Sequence, residues 1–269
     1  MNNQFAMKRV NILNTEIDNL SMTELLENLE CGVVFTPNVD HIMKLREDRE
    51  FREAYNGADC VICDSKILLY SSWFLGTPLR EKISGSDFFP AFYNYHKNHE
   101  KIKIFLLGAG EGIAQKAQAK INQKVGREIV VGAYSPSYGF EKNESECLKI
   151  IEIIQSSGAT VLAIGVGAPK QEKWIYKYRK ELTNIKIFLA IGATLDFEAD
   201  NLRRAPRWMS NVGLEWLFRL ILEPRRLWKR YLVDDLPFFW LILKQKFTTY
   251  LKLRSTLLSD NLRTYQRRS

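Results

Sequence analysis

The stretch ATVLAIGVGAPKQEKWIYKYRK (159–180) decides the fold. Its first nine residues are apolar, small or branched, and they run without the polar alternation of a half-exposed strand. The rest, from Pro169, has the composition and spacing of an amphipathic helix. A strand buried on both faces and followed at once by a helix is the repeating unit of a parallel sheet covered on both sides. Five further segments share the apolar form: CGVVFTPN (31–38), ADCVICDS (58–65), KIKIFLLGAG (101–110), REIVVGAY (127–134) and IKIFLAIGAT (185–194). Helices are predicted between them over 39–56, 111–125, 143–157 and 169–182. The alternation predicts an α/β fold, a Rossmann-like parallel sheet core over 1–200.

Ligands of open parallel sheets bind beyond the carboxyl ends of the strands. Candidate site residues are therefore those that follow each apolar run. They are Thr36, Pro37 and Asn38; Asp64 and Ser65; Gly108 and Gly110; Gly165, Gly167, Pro169, Lys170 and Gln171; and Gly192, Thr194 and Asp196. GAGEG (108–112) lacks the third glycine of a dinucleotide fingerprint, because position 113 is Ile. The strand after it ends in Ala133 and Tyr134 without the acid that holds a ribose. Nicotinamide binding is not expected, whereas the approach of a phosphate to a helix N-terminus stays open. Asp64 at a strand end has two open readings: a base made more basic by burial, or a cap for the helix beginning near Ser65.

From residue 201 strand patterning stops. Residues 202–269 hold 15 Lys/Arg against 5 Asp/Glu and four of the six tryptophans, so their net charge is +10 in a chain of +8. Trp216, Leu220, Leu227 and Tyr231 share one helical face with Arg219, Arg226 and Arg230 beside it, and Pro224 must kink or restart the helix. PFFWLIL (237–243), followed by Lys244, Lys246, Lys252 and Arg254, is short for a span but suits a helix lying in a bilayer interface, or one packed on the core. The region 201–269 is thus expected to be a basic helical appendage that associates with a membrane. Its arginines, Arg203, Arg204, Arg207, Arg219, Arg225, Arg226 and Arg230, suit a diphosphate. No apolar run reaches the roughly 18 residues of a transmembrane helix, and the first residues carry no apolar signal region. The four cysteines are expected to be reduced in the cytoplasm, with Cys60 and Cys63 as buried strand residues. No D-x-D motif or His–carboxylate cluster is present, so neither metal nor other cofactor is expected.

Taken in order, several motifs resemble the WecG/TagA/CpsF glycosyltransferases over residues 8–235. They are TPNVDH (36–41), ADCVICD (58–64), SGSDF (84–88), GVGAPKQEKWI (165–175), AIGATLDF (190–197), RAPRWM (204–209) and GLEWLFRLILEPRR (213–226). The resemblance implies a metal-independent, inverting transfer of a hexosyl or N-acetylhexosaminyl group, such as N-acetylmannosamine, from a UDP-sugar to a polyprenyl-diphosphate-linked saccharide. The implied setting is cell-surface polysaccharide synthesis on the inner face of the membrane. By position it makes Asp64 the catalytic base. It places Thr36, Asn38, Lys82, Ser86, Gln171, Arg219, Arg225 and Arg226 on the substrates, with Gly108, Gly110, Gly165 and Gly167 expected near the nucleotide. The implied partners are those two substrates and an anionic membrane surface, with self-association left open and no nucleic acid. The chain departs from the family pattern at Ser65, where glycine is usual, at Lys82 for arginine, and at Asp200 for glycine. These changes bear on which sugars are used. Two other classes fit the composition: a basic nucleic-acid-binding protein, and a sugar-nucleotide binder without activity.

Overall fold

The computed structural model describes residues 8–266, with side chains for all of them except Arg207 and residues 252–266. Six parallel strands form the central sheet: β3 (Gly32–Phe35), β4 (Cys60–Val61), β5 (Ile104–Gly108), β6 (Val130–Tyr134), β7 (Val161–Gly165) and β8 (Ile187–Ala190). They lie in the order β4-β3-β8-β7-β5-β6, so the α/β reading holds and all six expected strands are present. Each is shorter than its apolar run, because the flanking residues leave the ladder to form the loops above the sheet.

Alternate residues of each strand enter two different cores. Val33, Phe35, Leu162, Ile164 and Phe188 face one layer; Val34, Val161, Ala163, Ile187 and Leu189 face the other. The first layer is built from α2 (Val39–Glu47), α3 (Arg49–Asn56), α7 (Glu144–Ser156) and α8 (Lys170–Tyr178). The second contains α1 (Met22–Asn28), α5 (Gly85–Tyr95), α6 (Ile113–Val125) and α9 (Thr194–Glu198). Burial on both faces explains why the strand segments read as continuous apolar runs.

The single helix expected over 39–56 is two. Asp48 closes α2 and caps α3, accepting a hydrogen bond from Phe51 N at 3.0 Å. A short polar side chain that captures the free backbone N–H groups of a new helix favours a break at that point. Sequence patterning also missed the antiparallel hairpin of β1 (Arg9–Ile12) and β2 (Thr15–Asp18). Asp18 from this hairpin accepts from Val61 N at 2.8 Å, which satisfies a donor on the outer strand β4.

After β8 and α9 the described chain is helical, with α10 (Arg207–Val212), α11 (Glu215–Leu222), α12 (Pro224–Lys229) and α13 (Pro237–Gln266), the last of which packs on α4 (Lys66–Leu75) of the core. Pro224 opens α12, where its missing N–H costs nothing. A π-helical turn, Arg230–Asp234, joins α12 to the segment before α13. The run 237–243 neither lies wholly outward nor packs wholly inward. Phe238 is 0% exposed and Ile242 is 5% exposed in the first core, whereas Trp240 is 69% exposed. Gln245, further along the same buried face, accepts from Leu13 N at 2.9 Å and donates to Asn11 O at 3.1 Å. No described helix is long and apolar enough to cross a membrane.

Candidate active site

The loops beyond β4, β3, β8 and β7 surround a cavity of about 390 Å³, closed on its far side by α10, α11, α12 and the π-helical turn. That volume lies within the range that holds small ligands. Of the residues expected at the site, Thr36, Asn38, Asp64, Lys82, Ser86, Gly167, Gln171, Arg219 and Arg226 line it. Arg225 is exposed and does not line it. Gly108, Gly110 and Gly165 are not on its wall either.

Two of these glycines have a packing reason to be there. A Cβ on Gly165 would sit 2.6 Å from the Gly192 carbonyl oxygen, and one on Gly108 would meet the Gly165 backbone at the same distance. Their absence of side chains lets the loops after β5, β7 and β8 approach each other directly.

Asp64 follows β4, tied to the loop after β3 by its N–H donating to Pro37 O at 3.0 Å. The cap of α4 is Ser65, whose hydroxyl accepts from Ile67 N at 3.2 Å. Capping is therefore not the duty of Asp64, and its carboxylate takes no hydrogen bond or ion pair from any described residue. Desolvation pushes its carboxyl up to about 8, with Lys82 and Arg219 opposing the rise and Glu215 and Asp87 adding to it.

Asn38 accepts from His41 N at 3.3 Å as the cap of α2, and the same oxygen accepts from Arg230 Nη2 at 3.2 Å. Arg230 also stands 3.5 Å from Asp40 and 4.0 Å from Asp235, so the chain after α12 is fastened to the first strand end. Beneath this contact, burial holds His41 down to about 3, and its Nδ1 lies 2.9 Å from the Tyr55 hydroxyl. Asp235 is pushed up to about 7 by burial and by Asp40. Thr36 donates to Ala190 O at 3.3 Å and joins the ends of β3 and β8.

Gln171 is 2% exposed, and both ends of its carboxamide are occupied. Its Oε1 accepts from Gly167 N at 3.3 Å and Gly192 N at 3.2 Å, while Nε2 donates to Glu172 at 2.8 Å. It shapes the cavity by clamping the loops after β7 and β8. Glu172, fully buried beside it, is raised to about 7 by desolvation.

On the opposite wall Lys82 lies 2.9 Å from Asp87 and 4.0 Å from Glu215. Ser86 accepts from Arg204 at 2.9 Å, and Arg204 also pairs with Asp87. Against the effect of burial, the Ser84 hydroxyl, Lys82 and Arg204 hold the Asp87 carboxyl down to about 2. The guanidinium groups of Arg219 and Arg204 stand 5.5 Å and 5.8 Å from the Phe197 ring. Trp216 and Tyr231 meet edge to face at 5.8 Å between centroids, which joins α11 to the π-helical turn.

Asp40, Phe197, Glu215, Trp216, Tyr231 and Asp235 also line the cavity, although only Asp40 and Phe197 fall in strand-end motifs. Glu215 and Trp216 stand in the GLEW segment, so the motif held the signal and the residue types alone did not. Among the described residues no cluster of His, Cys, Asp and Glu is arranged to hold a metal. A wall with one unpaired, basic carboxylate opposite several cations can take a proton and receive an anionic leaving group.

The chain is 27% identical over 234 residues to the N-acetylglucosaminyldiphosphoundecaprenol N-acetyl-beta-D-mannosaminyltransferase of Bacillus subtilis (strain 168), covering 84% of this chain and 88% of that one. It is 25% identical over 232 residues to the enzyme of the same name from Staphylococcus aureus (strain MRSA252), covering 82% and 86%. The profile of the glycosyl transferase WecG/TagA/CpsF family matches residues 10–252, and the chain belongs to that family as a glycosyltransferase.

Proposed function

We propose that this glycosyltransferase moves an N-acetylhexosaminyl group, of the N-acetylmannosamine kind, from a UDP-sugar to a polyprenyl-diphosphate-linked saccharide, with inversion. The observation that carries this reading is Asp64, an unpaired carboxylate raised to about 8 on the cavity wall. In a single displacement the acceptor hydroxyl passes its proton to Asp64 as its oxygen bonds to the anomeric carbon. The bond from that carbon to the UDP oxygen breaks on the opposite face, and its electron pair leaves with UDP. Arg219 and Arg226 on the wall meet the charge that develops on the diphosphate, so the reaction as written needs no metal.

The acceptor class rests on the names of the relatives, whose substrate is a diphosphoundecaprenol-linked N-acetylglucosamine. An outer face built from Trp73 and Phe74 of α4 and Phe239, Trp240, Leu243 and Phe247 of α13, all exposed, supports access from a lipid surface. Lys244 lies within the same stretch and suits anionic headgroups. The enzyme would then work peripherally on the inner face of the membrane in the synthesis of a surface polysaccharide.

The test is release of UDP and formation of a lipid-linked disaccharide from a panel of UDP-N-acetylhexosamines and an N-acetylglucosaminyl-diphosphoprenol acceptor. Product linkage is read by NMR. Transfer by the wild type and loss of at least a thousandfold in Asp64→Asn are expected, on the order of what loss of a positioned base costs. Full activity in the variant, or retention of the donor's anomeric configuration, would overturn the reading.

A further inference from the structure

Lys82 poses a problem for a base at Asp64. It is 13% exposed in its side chain, it lines the same cavity, and its charge acts on Asp64. An ammonium that closed on that carboxylate would form an ion pair and weaken the base. It does not close, because its Nζ is turned to other oxygens: Asp87 at 2.9 Å, Ser84 at 3.4 Å and Glu215 at 4.0 Å. Asp87 cannot easily move, since Ser84 and Arg204 hold its other contacts. Asp87 and Ser84 belong to the start of the core helix α5, but Glu215 is the first residue of α11.

We propose that Glu215 is a positioning residue: with Asp87 it holds the Lys82 ammonium away from Asp64, so that the base stays unpaired only while α11 is docked. The inference rests on Asp64 being the base. The groups acting on Asp64 are Lys82, Asp87 from α5, and Glu215 and Arg219 from α11, which stand one helical turn apart. One helix thus supplies both the carboxylate that restrains the lysine and the guanidinium that faces the leaving group. Base strength and charge stabilisation are assembled by the same docking event.

The experiment is a titration of the Asp64 carboxyl by 13C NMR in the full chain, alongside the pH dependence of transfer. Wild type, Glu215→Gln, Lys82→Gln and Glu215→Gln/Lys82→Gln are compared. Loss of the Glu215 charge acts on Asp64 directly and also frees Lys82 to pair with it, so the Asp64 midpoint falls by about one pH unit, a tenfold change in proton affinity. The acid limb of kcat/KM moves with it, and the high-pH plateau drops because a weaker base remains. In the Lys82→Gln background only the direct loss of charge remains, so Glu215→Gln lowers the midpoint by a clearly smaller amount than in the wild type. A role confined to docking α11, or the Glu215 charge acting alone, would shift the midpoint equally with and without Lys82.

An unmoved midpoint in Glu215→Gln, or a shift just as large in the Lys82→Gln background, overturns the inference. If Glu215→Gln fails to fold, Glu215→Asp keeps the test, with a midpoint between the two expected and an unchanged one adverse. The NMR titration does not depend on turnover. Transfer retained in Asp64→Asn would therefore sink the base assignment alone, while the carboxyl midpoints still report whether Glu215 restrains Lys82.

Discussion

Replacing Asp64 by Asn removes a charge that the fold holds at a cost. Its folded pKa is raised to about 8 by desolvation, so stability that is fully present below the unfolded value, near 4, is lost as pH rises through 8. Asp64→Asn should therefore melt higher than wild type at pH 9, on the order of 5 °C, with the difference shrinking towards pH 4. Asp64 is only partly buried, which softens the effect, and scanning calorimetry at the two pH values measures it. The same sign fixes the kinetics: transfer should climb as pH rises through about 8, where the base form appears. A variant no more stable at pH 9 than wild type would mean that the carboxyl is not desolvated. Gln171 makes a different point at this scale. Its position was legible from the motif, but its work was not, because one oxygen joins two loops that are 25 residues apart, at Gly167 and Gly192. Gln171→Met leaves two backbone donors without their partner and should cost about 1–3 kcal/mol in denaturant melts, with transfer reduced as the cavity wall loosens.

At the scale of the element, α13 carries two faces that periodicity could not assign. Four consecutive apolar residues, Phe238 to Leu241, offer every direction around a helix, so sequence alone does not select the side that the core takes. The structure selects Phe238, Ile242 and Gln245, a spacing of one helical turn, and leaves Phe239, Trp240, Leu243 and Phe247 outside. The two sides should respond separately to substitution. Phe238→Ala opens a cavity in the first core and should destabilise the protein by about 3–5 kcal/mol. Trp240→Ala combined with Phe247→Ala should leave the melting temperature within a degree or two, since both rings are already solvated. The pair should, however, lower retention on anionic liposomes severalfold. Equal retention by the double variant and wild type in a flotation assay would remove this face from membrane binding. The hairpin β1–β2 shows the opposite limit of legibility: four-residue strands of mixed polarity carry too little pattern to stand out. They are fixed instead by distant partners, Val61 and Gln245.

For the whole molecule, the sheet was legible because each strand is buried on both faces and announces itself in composition. The closure of the cavity was not, because it depends on contacts such as Arg230 to Asn38 and Glu215 to Lys82, between residues more than 100 positions apart. Those contacts divide the C-terminal region by consequence. A chain ending at Asn201 keeps all six strands and Asp64 but loses Arg204, Glu215, Arg219, Arg226 and Arg230 from the cavity side. It should transfer no sugar even to a water-soluble, short-chain diphosphate acceptor, because the arginines that meet the leaving group are gone and Glu215 no longer helps to restrain Lys82. A chain ending at Leu236 keeps those residues and loses α13. It should leave liposomes, and it should also melt lower, because Phe238 and Ile242 no longer fill the first core and Gln245 no longer joins the hairpin. At a temperature below its melting point it should still act on the soluble acceptor. Activity of the shorter chain on that acceptor would show that α10, α11, α12 and the π-helical turn are dispensable for chemistry, and membrane retention of the longer one would show that α13 is not what holds the enzyme to lipid.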